Sequence, residues 1–195
     1  MIQSKNDLRL YLREDMFRNL GSTNVFRYWI FLACRHNGAM AFHYLKSLRK
    51  YEYAINCYKK YGFLGRLIIL YRKIQNRRLG YKYAISIHPN TVGYGLALPH
   101  TAMGGVVINC KSMGNYCTVN TGCLLGKKNK DQSTTPIVGD HVNMNPGCCI
   151  IGEITVGNHV VVAPHAVITK NVPDYAVVAG VPGKILFFDD GSKNL

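Results

Sequence analysis

The stretch VGDHVNMNPGCCIIGEITVGNHVVVAPHAVITKNV, residues 138–172, decides the fold. Counted in sixes, it places Val138, Met144, Ile150, Val156, Val162 and Ile168 in one column, all of them apolar. Four places after each stand Val142, Cys148, Ile154, Val160, Ala166 and Val172, all small or apolar. An α-helix repeats every 3.6 residues and a flat strand every two, so neither gives a period of six. A triangular coil does, with one hexad forming each of its three flats. The first column then points inward from each flat, and the second fills the space near each corner. Coils stacked at the inter-strand spacing bury a continuous apolar column that no single coil could bury alone.

Outward from this stretch the repeat continues less regularly. Met113, Val119 and Leu125, with Cys117 and Cys123, form an earlier block, and Val92 and Leu98, with Leu96 and Ala102, a still earlier one. Cys117, Cys123 and Cys148 therefore read as core residues. Two interruptions break the count. Leu98 and Val107 are nine apart, so about three extra residues enter around Met103-Gly104-Gly105. Leu125 and Val138 are thirteen apart, so about seven extra residues protrude in the polar stretch 127–135. Insertions in a solenoid map to surface loops, where sites are built. Pro182, near the end of the array, cannot donate to a further ladder. The expected fold is mainly β: a left-handed parallel β-helix over residues 85–186, preceded by an α-helical region over 1–84 and followed by a tail, 187–195.

The two halves differ in composition as well as in period. Of 24 Lys and Arg, 17 lie before residue 85, against 4 of the 10 Asp and Glu, and 16 of the 21 aromatic residues lie there too. In this half Ser4 and Asp7 form a capping box that opens a helix running to about Arg18, closed by Gly21. Further helices are expected over 24–35 and 39–50, and then to about Arg78, with bends at Gly62 and Gly65 and an end at Gly80. The first ten residues carry no apolar stretch of the secretory kind. Seven Cys without a framework spacing point to reduced thiols and a cytoplasmic setting.

The repeat, together with the closing Ala179-Gly180-Val181-Pro182-Gly183-Lys184, resembles the hexapeptide-repeat acyltransferases. Ile87-His88-Pro89-Asn90-Thr91, Gly95-Leu96-Ala97-Leu98-Pro99-His100 and Gly104-Gly105-Val106-Val107-Ile108-Asn109 narrow the likeness to the serine acetyltransferase branch. Within that branch the chain most resembles the short O-acetyltransferases of capsule and exopolysaccharide synthesis. The resemblance implies a homotrimer that transfers acetyl groups from acetyl-CoA, with active sites between neighbouring β-helices. It implies His100 as the catalytic residue. A hydroxyl is a poor nucleophile toward a thioester, and a neutral imidazole can accept its proton as attack proceeds. The resemblance also implies a coenzyme A site along the coil corners, at Gly126, Asn145, Pro146, Ala163 and Pro164, with Lys170 and Lys184 near its phosphates.

Three positions depart from the serine acetyltransferase pattern. Pro99 stands where an Asp orients the catalytic His, and Thr134 and Thr135 stand where Arg-His precedes the Pro that reopens the helix. A carboxylate is best recognised by a cation in hydrogen-bond reach. The acceptor expected from these departures is therefore a sugar hydroxyl in surface polysaccharide synthesis, with serine O-acetylation for cysteine synthesis as the alternative. A non-catalytic β-helix that binds a partner or metal is a third reading. It draws on His141, His159 and His165, all at the same hexad position, but no carboxylate stands with them and no metal is expected. His88, followed by Pro89, reads as structural. The basic, aromatic N-terminal half fits either packing between protomers over the first coil or peripheral contact with the inner membrane surface. The second role would use Phe63, Leu64, Leu67, Ile68 and Leu70 with their flanking Lys and Arg. No nucleic-acid module is recognisable, and none is expected as partner.

Overall fold

In the computed structural model, which describes residues 1–128 and 135–189, the chain is a left-handed parallel β-helix with a helical cap over its first coil. Three parallel sheets form the flats. The first sheet stacks Ile85–Ile87, Val106–Ile108, Leu124–Gly126, Cys149–Ile151 and Val167–Ile168. The second stacks Ser112–Met113, Ile137–Val138 and Thr155–Val156. The third stacks Thr118–Val119, Asn143–Met144, Val161–Val162 and Ala176–Ala179. Register advances by three hexads from Ile137 to Thr155, from Asn143 to Val161 and from Cys149 to Val167, the coil length that the sequence implies. All twelve residues of the two columns between Val138 and Val172 are buried, and so are Cys117 and Cys123.

The first interruption is longer than the hexad count implies. Val106 and Ile108 are the inward residues, whereas Val107 is 43% exposed. Ala97 pairs with Thr118 and Val107 with Leu124, so ten residues span a corner that six span in the next coil. Four residues are therefore inserted, not three, because a strand alternates and the apolar Val107 lies on its outward side. The insertion contains a 3-10 turn, Thr101–Met103. Most of the second interruption, 129–134, lies outside the described residues, including Thr134 and most of the loop expected there. At the other end, Lys184–Phe188 turns back antiparallel onto Ala176–Ala179. Residues 187 and 188, assigned to the tail on sequence, thus extend a closing strand, while 190–195 lie outside the described residues.

Corner chemistry repeats from coil to coil. On the corner after the second sheet, Tyr116, His141, His159 and Tyr175 all adopt the left-handed backbone conformation. Their rings form one column, with centroids 5.3 Å apart for Tyr116 and His141, 4.8 Å for His141 and His159, and 4.9 Å for His159 and Tyr175. Beside it runs a ladder of side-chain carbonyls and carboxylates. Asp140 Oδ1 accepts from Asn115 N at 2.6 Å, Asn158 Oδ1 from Asp140 N at 2.9 Å, and Asp174 Oδ1 from Asn158 N at 2.8 Å. The corner after the third sheet is tighter. Gly147 has φ +74°, and a Cβ there would stand 2.5 Å from the ring of His165 on the next coil, so only glycine fits.

Four helices cap the first coil: α1 (Lys5–Leu20), α2 (Val25–Ala33), α3 (Asn37–Cys57) and α4 (Gly62–Tyr83). The Ser4–Asp7 capping box and the left-handed Gly21 bound α1 as expected. Three expected boundaries move. Asn37-Gly38 opens α3 rather than separating two helices, and α3 continues to Cys57, past Lys50. Gly80 lies inside α4, which ends at the left-handed Ala84.

The cap satisfies the free edge of the first coil with side chains instead of another strand. Asp15 Oδ1 accepts from Leu96 N, Asn19 bonds both Leu96 O and Leu98 N, Glu52 accepts from Asn90 N, and Tyr44 Oη from Ile87 N. Arg49 donates to the carbonyls of Val92 and Gly93. Not all apolar surface is used by this packing: Phe26, Trp29, Phe63, Leu64, Leu67 and Leu70 remain exposed. Among the described residues, no helix is long and apolar enough to cross a membrane.

Candidate active site

His100 sits on the corner after the third sheet, where the first insertion begins. Its backbone is left-handed, with φ +57°, and its carbonyl accepts from Met103 N at 3.0 Å, closing the short turn. This geometry turns the imidazole outward, and the side chain is exposed. Among the described residues, no hydrogen bond holds the ring, so no backbone carbonyl there takes the place of the missing Asp. Pro99 itself lines the same cavity as His100.

That cavity, about 390 Å³, lies between the cap and the β-helix. Arg18 from the last turn of α1, His36 and Asn37 at the start of α3, and Thr118 from the next coil face His100 across it. Arg18 is anchored there. Its Nη2 donates to Thr118 Oγ1 at 3.0 Å and toward the Tyr116 carbonyl at 3.5 Å. Among the described residues, no Asp or Glu lines the cavity. Sequence reasoning passes over both Arg18 and His36. Arg18 looks like an ordinary basic residue at a helix C-terminus, and His36 follows no period. Their proximity to His100 arises only when α1 and α3 fold back over the first coil. A larger cavity, about 440 Å³, lies between α4 and the first sheet but contains no histidine among the described residues.

The residues expected to meet coenzyme A fall on two corners. Register places Pro99, Asn120, Asn145 and Ala163 one above another, so Asn145-Pro146 and Ala163-Pro164 continue the corner of His100. Lys184 joins the same side at the last coil, where it pairs with Ala179. Three coils separate His100 from Pro164, roughly 14 Å at the ~4.8 Å inter-strand spacing. The Asn145 amide donates to Val162 O at 3.0 Å, so that part of it serves the ladder. Gly126 and Lys170 lie on the next corner, across the first sheet, where Gly126 O accepts from Gly152 N at 3.0 Å. The sequence expectation thus separates into a column on the His100 corner and a pair on the opposite side of one flat.

The histidines considered for metal do not converge. His141 and His159 lie with their rings 3° from parallel in the aromatic column, and His165 stacks over Gly147 on a different corner. Among the described residues, no group of three or more His, Cys, Asp or Glu is arranged to hold a metal ion.

The chain is thus a capped left-handed β-helix with an exposed corner histidine beside an inserted turn. Comparison with known proteins shows what it is similar to. No protein-family profile matches the chain. Individual relatives do: a serine acetyltransferase of Synechococcus elongatus is 29% identical over 105 residues, 53% of this chain and 43% of that protein. A serine acetyltransferase of Staphylococcus aureus strain Mu50 is 32% identical over 104 residues, 52% of this chain and 48% of that protein. The chain spans less than half the length of these relatives. Among solved structures, a serine acetyltransferase in complex with cysteine superposes with a TM-score of 0.72 at 23% identity, covering 98% of this chain and 70% of that one. The soybean serine acetyltransferase apoenzyme gives 0.70 at 21% identity, covering 93% and 70%. At these identities the superpositions establish the fold, and the sequence relatives carry the resemblance to the serine acetyltransferase type.

These findings overturn one expectation. The sequence favours a sugar hydroxyl over serine because no cation stands at Thr134 and Thr135. The relatives and structural neighbours named above are serine acetyltransferases, which favours serine over a sugar. The physical argument against serine also weakens, because α1 brings the Arg18 guanidinium into the cavity of His100.

Proposed function

We propose that the chain is an acetyl-CoA-dependent O-acetyltransferase acting on serine, with His100 as general base. The observation that carries this is the placement of His100, outward on a strained corner at the mouth of a cavity, in a fold shared with serine acetyltransferases. His100 accepts the proton of the acceptor hydroxyl as its oxygen attacks the thioester carbonyl. The tetrahedral intermediate collapses to the acetyl ester, and the departing thiolate recovers the proton from the imidazolium. No covalent enzyme intermediate is required.

Coenzyme A runs along the corner column of Asn145, Pro146, Ala163 and Pro164, with Lys184 at its far end. Gly126 and Lys170 reach the same donor from the opposite corner of a neighbouring copy in a homotrimer. One serine acetyltransferase of this fold has been solved in complex with CoA, which supports the donor. The seven free thiols support a reducing, cytoplasmic setting. The exposed row Phe63, Leu64, Leu67 and Leu70, with Lys59, Lys60 and Arg66 beside it, supports peripheral contact with an anionic lipid surface.

The test is thiol release from acetyl-CoA, followed with L-serine as acceptor and with mass identification of O-acetylserine. Serine-dependent release that disappears in His100→Ala supports the reading. Release that ignores serine, or that survives the substitution, contradicts it.

A further inference from the structure

We propose that Arg18 binds the carboxylate of the acceptor, so that the helical cap supplies the half of the acceptor site that selects a small amino acid. This rests on the acetyl-transfer reading above and adds to it the group that recognises the substrate. Three observations carry it. First, Arg18 is fixed by its bonds to Thr118 Oγ1 and the Tyr116 carbonyl, both made through Nη2. Nη1 and Nε are left to donate charge-assisted hydrogen bonds to a carboxylate.

Second, the cation has no ion-pair partner among the described residues. The ion pairs among the described residues join Arg13 to Glu14 and Arg49 to Asp15 and Glu52, and none involves Arg18. The neighbouring acids on α1 are thus committed elsewhere: Glu14 also accepts from the Tyr116 hydroxyl, and Asp15 is sealed inside the cap. With no acidic residue in its described wall, the cavity presents Arg18, His36 and His100 toward one small volume. Such a field attracts an anion. Third, about 390 Å³ is at the small end of ligand sites, which run from about 300 to 1,000 Å³. It suits an amino acid beside a thioester better than an extended glycan.

The carboxylate would then lie against α1 while the hydroxyl points to the corner of the β-helix. The geometry assigns Arg18 to binding, whereas His100 carries the proton. Arg18 is accordingly a specificity-determining residue.

The experiment compares wild type, Arg18→Ala and Arg18→Lys by steady-state kinetics and by calorimetric binding of L-serine without acetyl-CoA. Serinamide, which keeps the hydroxyl and lacks the carboxylate, is the control acceptor. In Arg18→Ala the KM for serine should rise at least about tenfold, while kcat and the KM for acetyl-CoA stay within about twofold. Arg18→Lys should recover part of the loss, and serinamide should be used equally by all three. Serine binding equal in wild type and Arg18→Ala overturns the proposal. So does a rise in KM for acetyl-CoA instead of serine, which would assign the cation to the donor's phosphates. Absence of serine binding to the wild type overturns it as well. Serine binding that depends on Arg18 without turnover supports the carboxylate site and defeats only the acetyl-transfer reading.

Discussion

Arg49 Nε lies 2.8 Å from Asp15 Oδ2, and neither side chain is accessible to solvent. The same guanidinium bonds Glu52 Oε2 at 3.1 Å and the carbonyl of Val92 at 2.9 Å. One buried cation therefore joins α1, α3 and the open edge of the first coil. Burial acts against the charge of Arg49, but the two carboxylates hold it well above its ordinary pKa, so the group stays ionised. Arg49→Met leaves two buried carboxylates without their cation. Breaking a buried pair in this way typically costs about 3–5 kcal/mol. A fall of that order in the denaturant-derived stability is expected, and a variant within about 1 kcal/mol of wild type, the scale of an exposed pair, would show that the network does not hold the cap.

His43 gives the cap a pH dependence. Burial, and then the positive charges of Lys46 and Lys82, hold its imidazole below the ordinary value of 6.5. As pH falls, the unfolded chain takes up this proton before the folded chain does. The contribution of His43 is therefore fully present above about pH 6.5 and declines as pH falls toward the folded-state pKa. His43→Asn should flatten the fall in melting temperature on the acid side of that value. An unchanged slope would mean that the shift has no thermodynamic consequence.

The thiols should divide by burial. Cys34 is exposed and Cys57 and Cys149 are partly so, whereas Cys110, Cys117, Cys123 and Cys148 are buried. Burial raises Cys110 and Cys117 to about 11, and the contact with Cys123 together with burial raises Cys148. Only thiolates alkylate readily. Iodoacetamide at mildly alkaline pH should add no more than three groups to the folded protein and seven after denaturation. Rapid labelling of a fourth site would show that the corners open.

The aromatic column makes a prediction about backbone as much as about rings. His159 holds a φ of +56°, stacked between His141 and Tyr175. Asparagine tolerates this conformation and alanine does not, at a difference of roughly 1 kcal/mol. Both substitutions lose the stack, so His159→Ala should be less stable than His159→Asn by about that amount. The reverse order in thermal melts would place the energy in the rings alone.

The β-helix is legible in the sequence because its coils are local. Each apolar column recurs at every sixth position, and every member between Val138 and Val172 is buried as the count implies. The count fails by one position at Val107, where an outward-facing place also carries an aliphatic side chain. The place of His100 at an exposed corner beside an insertion is legible too. Arg18 and His36 are not, because they come near it only through contacts between α1, α3 and a coil distant in sequence. The choice of acceptor goes astray for the same reason, since it is argued from Thr134 and Thr135 without the cation that the cap provides. Helix boundaries at Asn37, Lys50 and Gly80 are misplaced where packing on the β-helix overrides local breaking signals.

The most direct test of the account is the rate of O-acetylserine formation from acetyl-CoA and L-serine by the wild type and by His100→Ala, with circular dichroism and oligomeric state confirming that both are folded. Loss of a general base typically costs about 10²- to 10⁴-fold. Serine-dependent product from the wild type and a fall of that size in the variant at unchanged fold are expected. Acetyl transfer to serine undiminished by the substitution, or no transfer by the wild type, would contradict the account.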